Sequence, residues 1–233
     1  MIPRLLAAAL FLTLAACHSA PQAATKADNP KTDTSWRDTF NVNKADLSAS
    51  GANPYFHLRP GTVSIFRDGD TVLIISALKQ TRTVDGVETR VVEEREMAAG
   101  KPKEISRNFF AIDSKTGDVF YFGEETDEYH NGKVTHPGVW LAGQNGARFG
   151  LMMPAHPKVG DRYYQELAPG VAMDRFEVLA TDETVTVPAG TFKRCIHIRE
   201  TSPLESGSSD KWYAPEVGLI KDGDAVLTSH KSP

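Results

Sequence analysis

Turn dipeptides recur along the whole second part of this chain, at Asp68-Gly69, Asp85-Gly86, Asn131-Gly132 and Asp222-Gly223, with Gly117 closing the run DSKTG. Asx-Gly pairs suit the positive-φ turns that join two antiparallel strands with almost no loop. Between them lie runs rich in β-branched and aromatic residues: TVLIISAL, VETRVVEERE, NFFAI, DVFYFG, RFEVLAT and TFKRCIHIRET. Helical periodicity is nearly absent after residue 50. Such punctuation leaves room for strands and little else, so the pattern predicts an all-β, antiparallel architecture: a curved sheet, an open barrel or a sandwich. TVLIISAL and VFYFG are apolar on both faces and read as central strands, whereas Ile196 and Ile198 alternate with Cys195, His197 and Arg199.

A weak internal echo points to two similar halves. DGVETRVV (85–92) precedes FFAIDSKTGDVFYFG (109–123), and AGTFKRCI (189–196) precedes WYAPEVGLIKDG (212–223). Gly86 aligns with Gly190, Arg90 with Arg194, Ala111 with Ala214, Gly117 with Gly218 and Val119 with Ile220.

The N-terminus reads differently. Arg4 and the apolar run Leu5–Ala16 have the anatomy of a signal peptide, and the run is shorter than the roughly 20 residues a spanning helix needs. It ends in Leu14-Ala15-Ala16-Cys17, which resembles a bacterial lipobox. That resemblance implies cleavage before Cys17, a lipidated Cys17, and anchoring to a membrane without spanning it. Several acyl chains hold durably because each buried methylene contributes about 0.8 kcal/mol. His18 stands where an Asp would imply inner-membrane retention, so the expected place is the periplasmic face of the outer membrane in a host with two membranes. The expected division is signal peptide 1–16, lipidated Cys17 with a flexible tether 17–43, and a single β domain 44–233. Trp36 to Val42 could alternatively form a short edge strand.

Net charge is −4 with no basic block, which argues against nucleic acid as a partner. Only Cys17 and Cys195 are present, so no disulfide forms within a chain whose Cys17 is lipidated, and stability must come from the core.

NPYFHLRPGT, FFAIDSKTGDVFYFGEE, MMPAHPKVGD, VPAGTF and WYAPEVGLIK together resemble the motifs of an uncharacterised bacterial secreted and lipoprotein family, over Asn53 to Lys221. The resemblance supports the fold class and brings no activity with it. The chain departs from the family pattern at His57, in place of Pro, and at Glu216, in place of Gly.

Three kinds of chemistry deserve weighing. His130, His136 and His156 lie near Glu124, Glu125, Asp127 and Glu128, but without metal-ligand spacing, so solvated loop residues are the expectation and neither metal nor cofactor is assigned. Cys195 and His197 lie about 6.5 Å apart along one strand face, too far for a thiolate–base contact, and Cys195 reads as a buried hydrophobe. The runs EERE and EETDE read as exposed charged faces. The stretch VWLAGQNGARFGLMMPAHPKVGD (139–161) has four glycines, two prolines and no period of two. It reads as a connector between the halves, with 144–160 forming an ordered surface loop. Leu151, Met152 and Met153 should pack on the sheet while Asn145, Arg148 and His156 face solvent or a ligand. With Tyr121, Trp140 and Tyr163, the last three residues form the candidate ligand site.

The resulting expectation is a non-enzymatic, lipid-anchored envelope protein binding an unidentified envelope protein or small molecule. Two alternatives stay open: a hydrolase or metal-dependent enzyme with a dispersed His/carboxylate site, and an acyl-chain carrier in a half-open barrel.

Overall fold

The computed structural model describes residues 36–233, so Cys17 and the signal segment lie outside the described residues. The strands are β1 (Leu47–Ser48), β2 (Val63–Asp68), β3 (Thr71–Val84), β4 (Val87–Ala98), β5 (Lys101–Asp113), β6 (Val119–His130), β7 (Lys133–Thr135) and β8 (Trp140–Leu141). They continue as β9 (Arg148–Met153), β10 (Arg162–Tyr164), β11 (Glu166–Leu167), β12 (Arg175–Val187), β13 (Gly190–Thr201), β14 (Ser209–Ala214), β15 (Gly218–Asp222) and β16 (Ala225–Lys231). A single 3-10 turn, Lys44–Asp46, is the one helical element among the described residues.

The turn chemistry is realised as read. Asp85-Gly86 and Asn131-Gly132 are two-residue loops with positive φ at both positions, joining β3 to β4 and β6 to β7. In Asp68-Gly69 and Asp222-Gly223 the Asp is instead the last ladder residue, and the glycine takes the first loop position. Ala99-Gly100 makes the β4–β5 turn with Ala99 at φ +48, a turn that carries no Asn or Asp signal.

Thirteen strands follow one path, β10-β12-β13-β14-β15-β16-β2-β3-β4-β5-β6-β9-β11, and every strand pair in it is antiparallel. The path begins and ends on one segment. Arg162–Tyr164 pairs with β12, and Glu166–Leu167, two residues on, pairs with β9. This segment draws the two edges together and makes a nearly closed barrel. The approach is close: a Cβ added at Gly150 in β9 would collide with the backbone of Tyr164 and Gln165.

The echo between the halves maps onto equivalent places. Gly86 and Gly190 sit at the β3/β4 and β12/β13 hairpins, and Gly117 and Gly218 at the β5/β6 and β14/β15 turns. Glu216 is held at φ +64, in the left-handed region that a glycine enters without cost.

Two expectations need correction. The stretch 139–161 is not merely a connector with a surface loop: Trp140–Leu141 and Arg148–Met153 pair with β6, so part of it is barrel wall. Its missing alternation has a physical cause. Gly150 to Met153 are all buried, which leaves no polar face to alternate with. The tether also ends earlier than residue 43. Arg37 forms a parallel bridge to Tyr163, Trp36 lies beneath the guanidinium groups of Arg162 and Arg175, and Phe40 packs edge-on against Phe120 at 5.9 Å.

Candidate functional site

The barrel interior is built from rows of residues standing opposite one another across the ladder. One row runs Ser64, Ile75, Glu94, Ser106, Thr126 through β2 to β6. The next runs Ala77, Val92, Asn108, Glu124, Trp140. On the far wall, Val178, Ile198, Lys211 and Asp222 stand in register, as do Phe176, Glu200 and Ser209. Directly paired residues share one face of a sheet, so closing the sheet aims all of these rows at each other.

The interior therefore gathers charge. Lys211 is fully buried, with Nζ 2.8 Å from Glu200 and 3.6 Å from Asp222. Burial alone would lower its pKa, but Asp222 and Glu200 hold it well above the ordinary lysine value. Asp222 also accepts from Ser209 at 2.6 Å; burial, partly offset by Lys211, pushes its pKa up to about 6. Glu94 is buried and pushed up to about 8 by desolvation, against the pull of Lys211 and with the help of Glu104, Asp222 and Glu200. Burial first, then neighbouring carboxylates, raises Glu124 and Glu166 well above the usual range and Asp174 to about 7. The reading of EERE and EETDE as exposed faces fails for Glu93, Glu94, Glu124 and Thr126, which are buried. Glu93 pairs outside with Arg95 and Arg107, and Arg107 reaches Asp127, whereas Glu94 and Glu124 point inward.

Above this acidic floor opens a pocket of about 70 Å³. Its walls are largely apolar, from Phe66, Ile75, Ala77, Val92, Met152 and Leu219, and Tyr55, Phe56 and His57 also line it. Three of its lining residues carry buried polar atoms with no hydrogen-bond partner among the described residues: His57 Nε2, Thr62 Oγ1 and Glu94 Oε1. Burial lowers the His57 pKa, so its imidazole is held neutral. Buried polar groups are normally paired, because an unpaired one costs about 1–3 kcal/mol.

The residues that the sequence singled out fall in three places. Tyr121 and Trp140 are core residues, in edge-to-face contact at 5.2 Å, with the Tyr121 hydroxyl donating to Asn108 Oδ1. Asn145 and Arg148 are exposed, and Arg148 donates to the Asp38 carbonyl at 3.2 Å. His156 and Tyr163 share an open surface basin of about 470 Å³ with Lys115, Asp118, Lys158 and Asp161. The basin's loop is pinned by the amides of Ala155 and Lys158, each donating at 2.8 Å to Asp118 and Asp161 respectively. The six candidates therefore do not form one site. Leu151, Met152 and Met153 are buried as expected, and Met152 reaches the interior pocket.

The histidines are equally dispersed. His130 meets Glu128 at 3.1 Å and His136 meets Asp127 at 2.9 Å, both outside the barrel, while His156 lies in the basin. No three His, Cys, Asp or Glu side chains converge on a metal position among the described residues. Cys195 is buried in a second apolar cluster with Ala214, Ile220 and Leu227, and burial pushes its thiol up. His197 instead stacks on Trp212 at 4.2 Å. The sequence reading missed His57, Thr62, Glu94 and Lys211. The signal available for Glu94 was its place in the alternation of VVEERE.

No known family profile matches the chain, and no curated protein matches it. Two solved structures align over 78% of this chain and the whole of their own length. One, from Bacteroides fragilis, is a protein inferred to be exported, with a YmcC-like fold, at 16% identity and a TM-score of 0.39. The other, from Parabacteroides distasonis, is inferred to be a lipoprotein, at 14% identity and a TM-score of 0.37. Both likenesses are too distant to transfer a function to this chain.

Proposed function

We propose that this protein is a lipid-anchored component of the bacterial cell envelope, held through Cys17, whose barrel binds a small and largely apolar ligand in this pocket. The anchor rests on the Leu14–Cys17 lipobox and the family resemblance. The observation that carries the binding reading is the set of unpartnered polar atoms of His57, Thr62 and Glu94 lining one apolar pocket. Apolar walls with a few convergent polar groups are the usual form of a small-molecule site, where the walls supply affinity and the polar groups orientation. No nucleophile–base pair accompanies them, so the reading is binding and not catalysis. In a host with two membranes, His18 in the position after Cys17, where an Asp would favour inner-membrane retention, supports a place on the periplasmic face of the outer membrane.

A titration with butan-1-ol tests the pocket. In the full-length chain in lipid nanodiscs, the methyl signals of Met152 and Ala77 should shift saturably, and Leu219→Trp should abolish the shift by filling the space. Signals that move linearly, or not at all, overturn the pocket. The anchor has a separate test: Cys17→Ser should release the protein from the membrane fraction, and a variant that still pellets after a carbonate wash contradicts it.

A further inference from the structure

The pocket's chemistry selects among ligands. We propose that it takes a protonated amine carried on a compact apolar body, with Glu94 as the counter-charge. This rests on the pocket reading above and adds the class of ligand to it.

Charge balance comes first. The groups whose charge acts on Glu94 are Lys211 from β14, Glu104 from β5, Asp222 from β15 and Glu200 from β13. Lys211 is the sole cation among them, and its closest carboxylates are Glu200 at 2.8 Å and Asp222 at 3.6 Å. Glu94 lines the pocket, and its Oε1 is buried without a hydrogen-bond partner among the described residues. An ammonium entering the pocket meets an excess of negative charge in a medium that screens poorly, and ionised Glu94 repays the amine's loss of water. A carboxylate ligand would meet like charges from three strands. A hydroxyl can donate one hydrogen bond but gains no ion pair.

Hydrogen-bond capacity points the same way. A primary ammonium carries three N–H donors and no acceptor. Three residues that line the pocket each carry an acceptor atom buried in the wall without a partner among the described residues: Glu94 Oε1, Thr62 Oγ1, and His57 Nε2 in the tautomer protonated at Nδ1. Thr62 is 7% exposed and Glu94 6%, so neither is satisfied by bulk solvent. Aromatic rings from Tyr55 and Phe56 also line the pocket, and ring faces attract cations. The groups whose charge acts on His57, Glu216 against Arg59 and His230, include both signs and set no opposing barrier of one sign.

Three ligands with the same butyl body separate the possibilities: butylamine, butan-1-ol and pentanoate, titrated against the full-length chain in nanodiscs at pH 8 with the Met152 and Ala77 methyl signals as the readout. Butylamine should bind about tenfold more tightly than butan-1-ol, as expected for a buried charge pair over a neutral hydrogen bond, and pentanoate should not bind measurably. Glu94→Gln should bring butylamine down to the affinity of butan-1-ol and leave butan-1-ol unchanged. Equal binding of the amine and the alcohol, binding of pentanoate as tight as butylamine, or a Glu94→Gln protein that keeps its amine preference overturns the assignment while leaving the pocket standing. Failure of all three ligands overturns the pocket and the assignment together. The comparison in the unmutated protein decides the matter even where Glu94→Gln alters folding.

Discussion

Two regions of one barrel interior are held by opposite physics. On one side aromatic rings pack in sequence: Phe56 edge-on to Phe110 at 4.9 Å, Phe110 stacked on Tyr121 at 4.7 Å, and Tyr121 edge-on to Trp140 at 5.2 Å. Each buried ring adds apolar area and a favourable ring geometry, worth about 0.5–1.5 kcal/mol per pair beyond burial. On the other side Glu94, Glu200 and Asp222 surround Lys211, and every one of those groups lost water on folding. A buried ion pair seldom repays that loss compared with apolar residues of the same size. The aromatic side explains why the barrel is stable. The charged side has to be explained by something other than stability, and the place of Glu94 in the pocket lining supplies a reason.

The contrast can be broken most forcefully at its two centres. Lys211→Met leaves Glu200 and Asp222 buried with no cation and should cost about 3–5 kcal/mol at pH 8. Phe110→Ala should cost a similar amount, about 3–5 kcal/mol, through a cavity. Denaturant unfolding at pH 8 and pH 5 separates them: the Lys211→Met loss shrinks in acid as Asp222, raised to about 6, takes up a proton, and the Phe110→Ala loss does not. Parallel behaviour of the two variants would remove the distinction.

Next in size is the seam that brings the two regions face to face. Gly150→Ala forces β9 away from Tyr164 and Gln165 and should cost about 1–3 kcal/mol, with early loss of amide protection in β11 by hydrogen exchange. Protection that matches the unmutated chain would show that the closure tolerates a methyl group.

A smaller effect is the slope of stability with pH. Glu94 titrates near 8 when folded and in the ordinary carboxylate range when unfolded, so between those values the unfolded chain binds fewer protons. Stability therefore falls as pH rises from about 5 to about 8, and Asp174 and Asp222, raised to about 7 and about 6, act in the same direction. Glu94→Gln should flatten the upper part of that slope, which melts across the range would reveal. The smallest effect belongs to an exposed pair: Lys103→Ala loses a 2.6 Å contact with Glu96 and should cost less than about 1 kcal/mol. A larger loss there would blur the line between buried and exposed charge.

Much of the wall was legible from the chain. Asp85-Gly86 and Asn131-Gly132 fix their hairpins locally, and Ile196 and Ile198 alternate with the polar face as read. The acidic interior was not legible, because alternation says which residues share a face but not which face is inside. Glu93 and Glu94 look alike in VVEERE, and only the fold separates them: Glu93 pairs with Arg95 and Arg107, whereas Glu94 lines the interior pocket. Lys211 was hidden in the same way, since its partner Asp222 stands across a ladder and Glu200 on the neighbouring strand. The stretch 139–161 attracted attention because it lacked a pattern; its Met152 does reach the pocket, whereas Asn145, Arg148 and His156 lie on the outer surface.

The most direct measurement follows the side-chain carboxyl carbon of Glu94 by NMR as pH is varied, in the full-length chain, with and without saturating butylamine. A buried carboxyl lining the pocket should titrate near 8 in the free protein and shift below 7 when the amine is bound, since the ion pair favours the ionised form. A carboxyl that titrates between 4 and 5, or one near 8 that the amine leaves unmoved, would contradict the role of Glu94 as counter-charge.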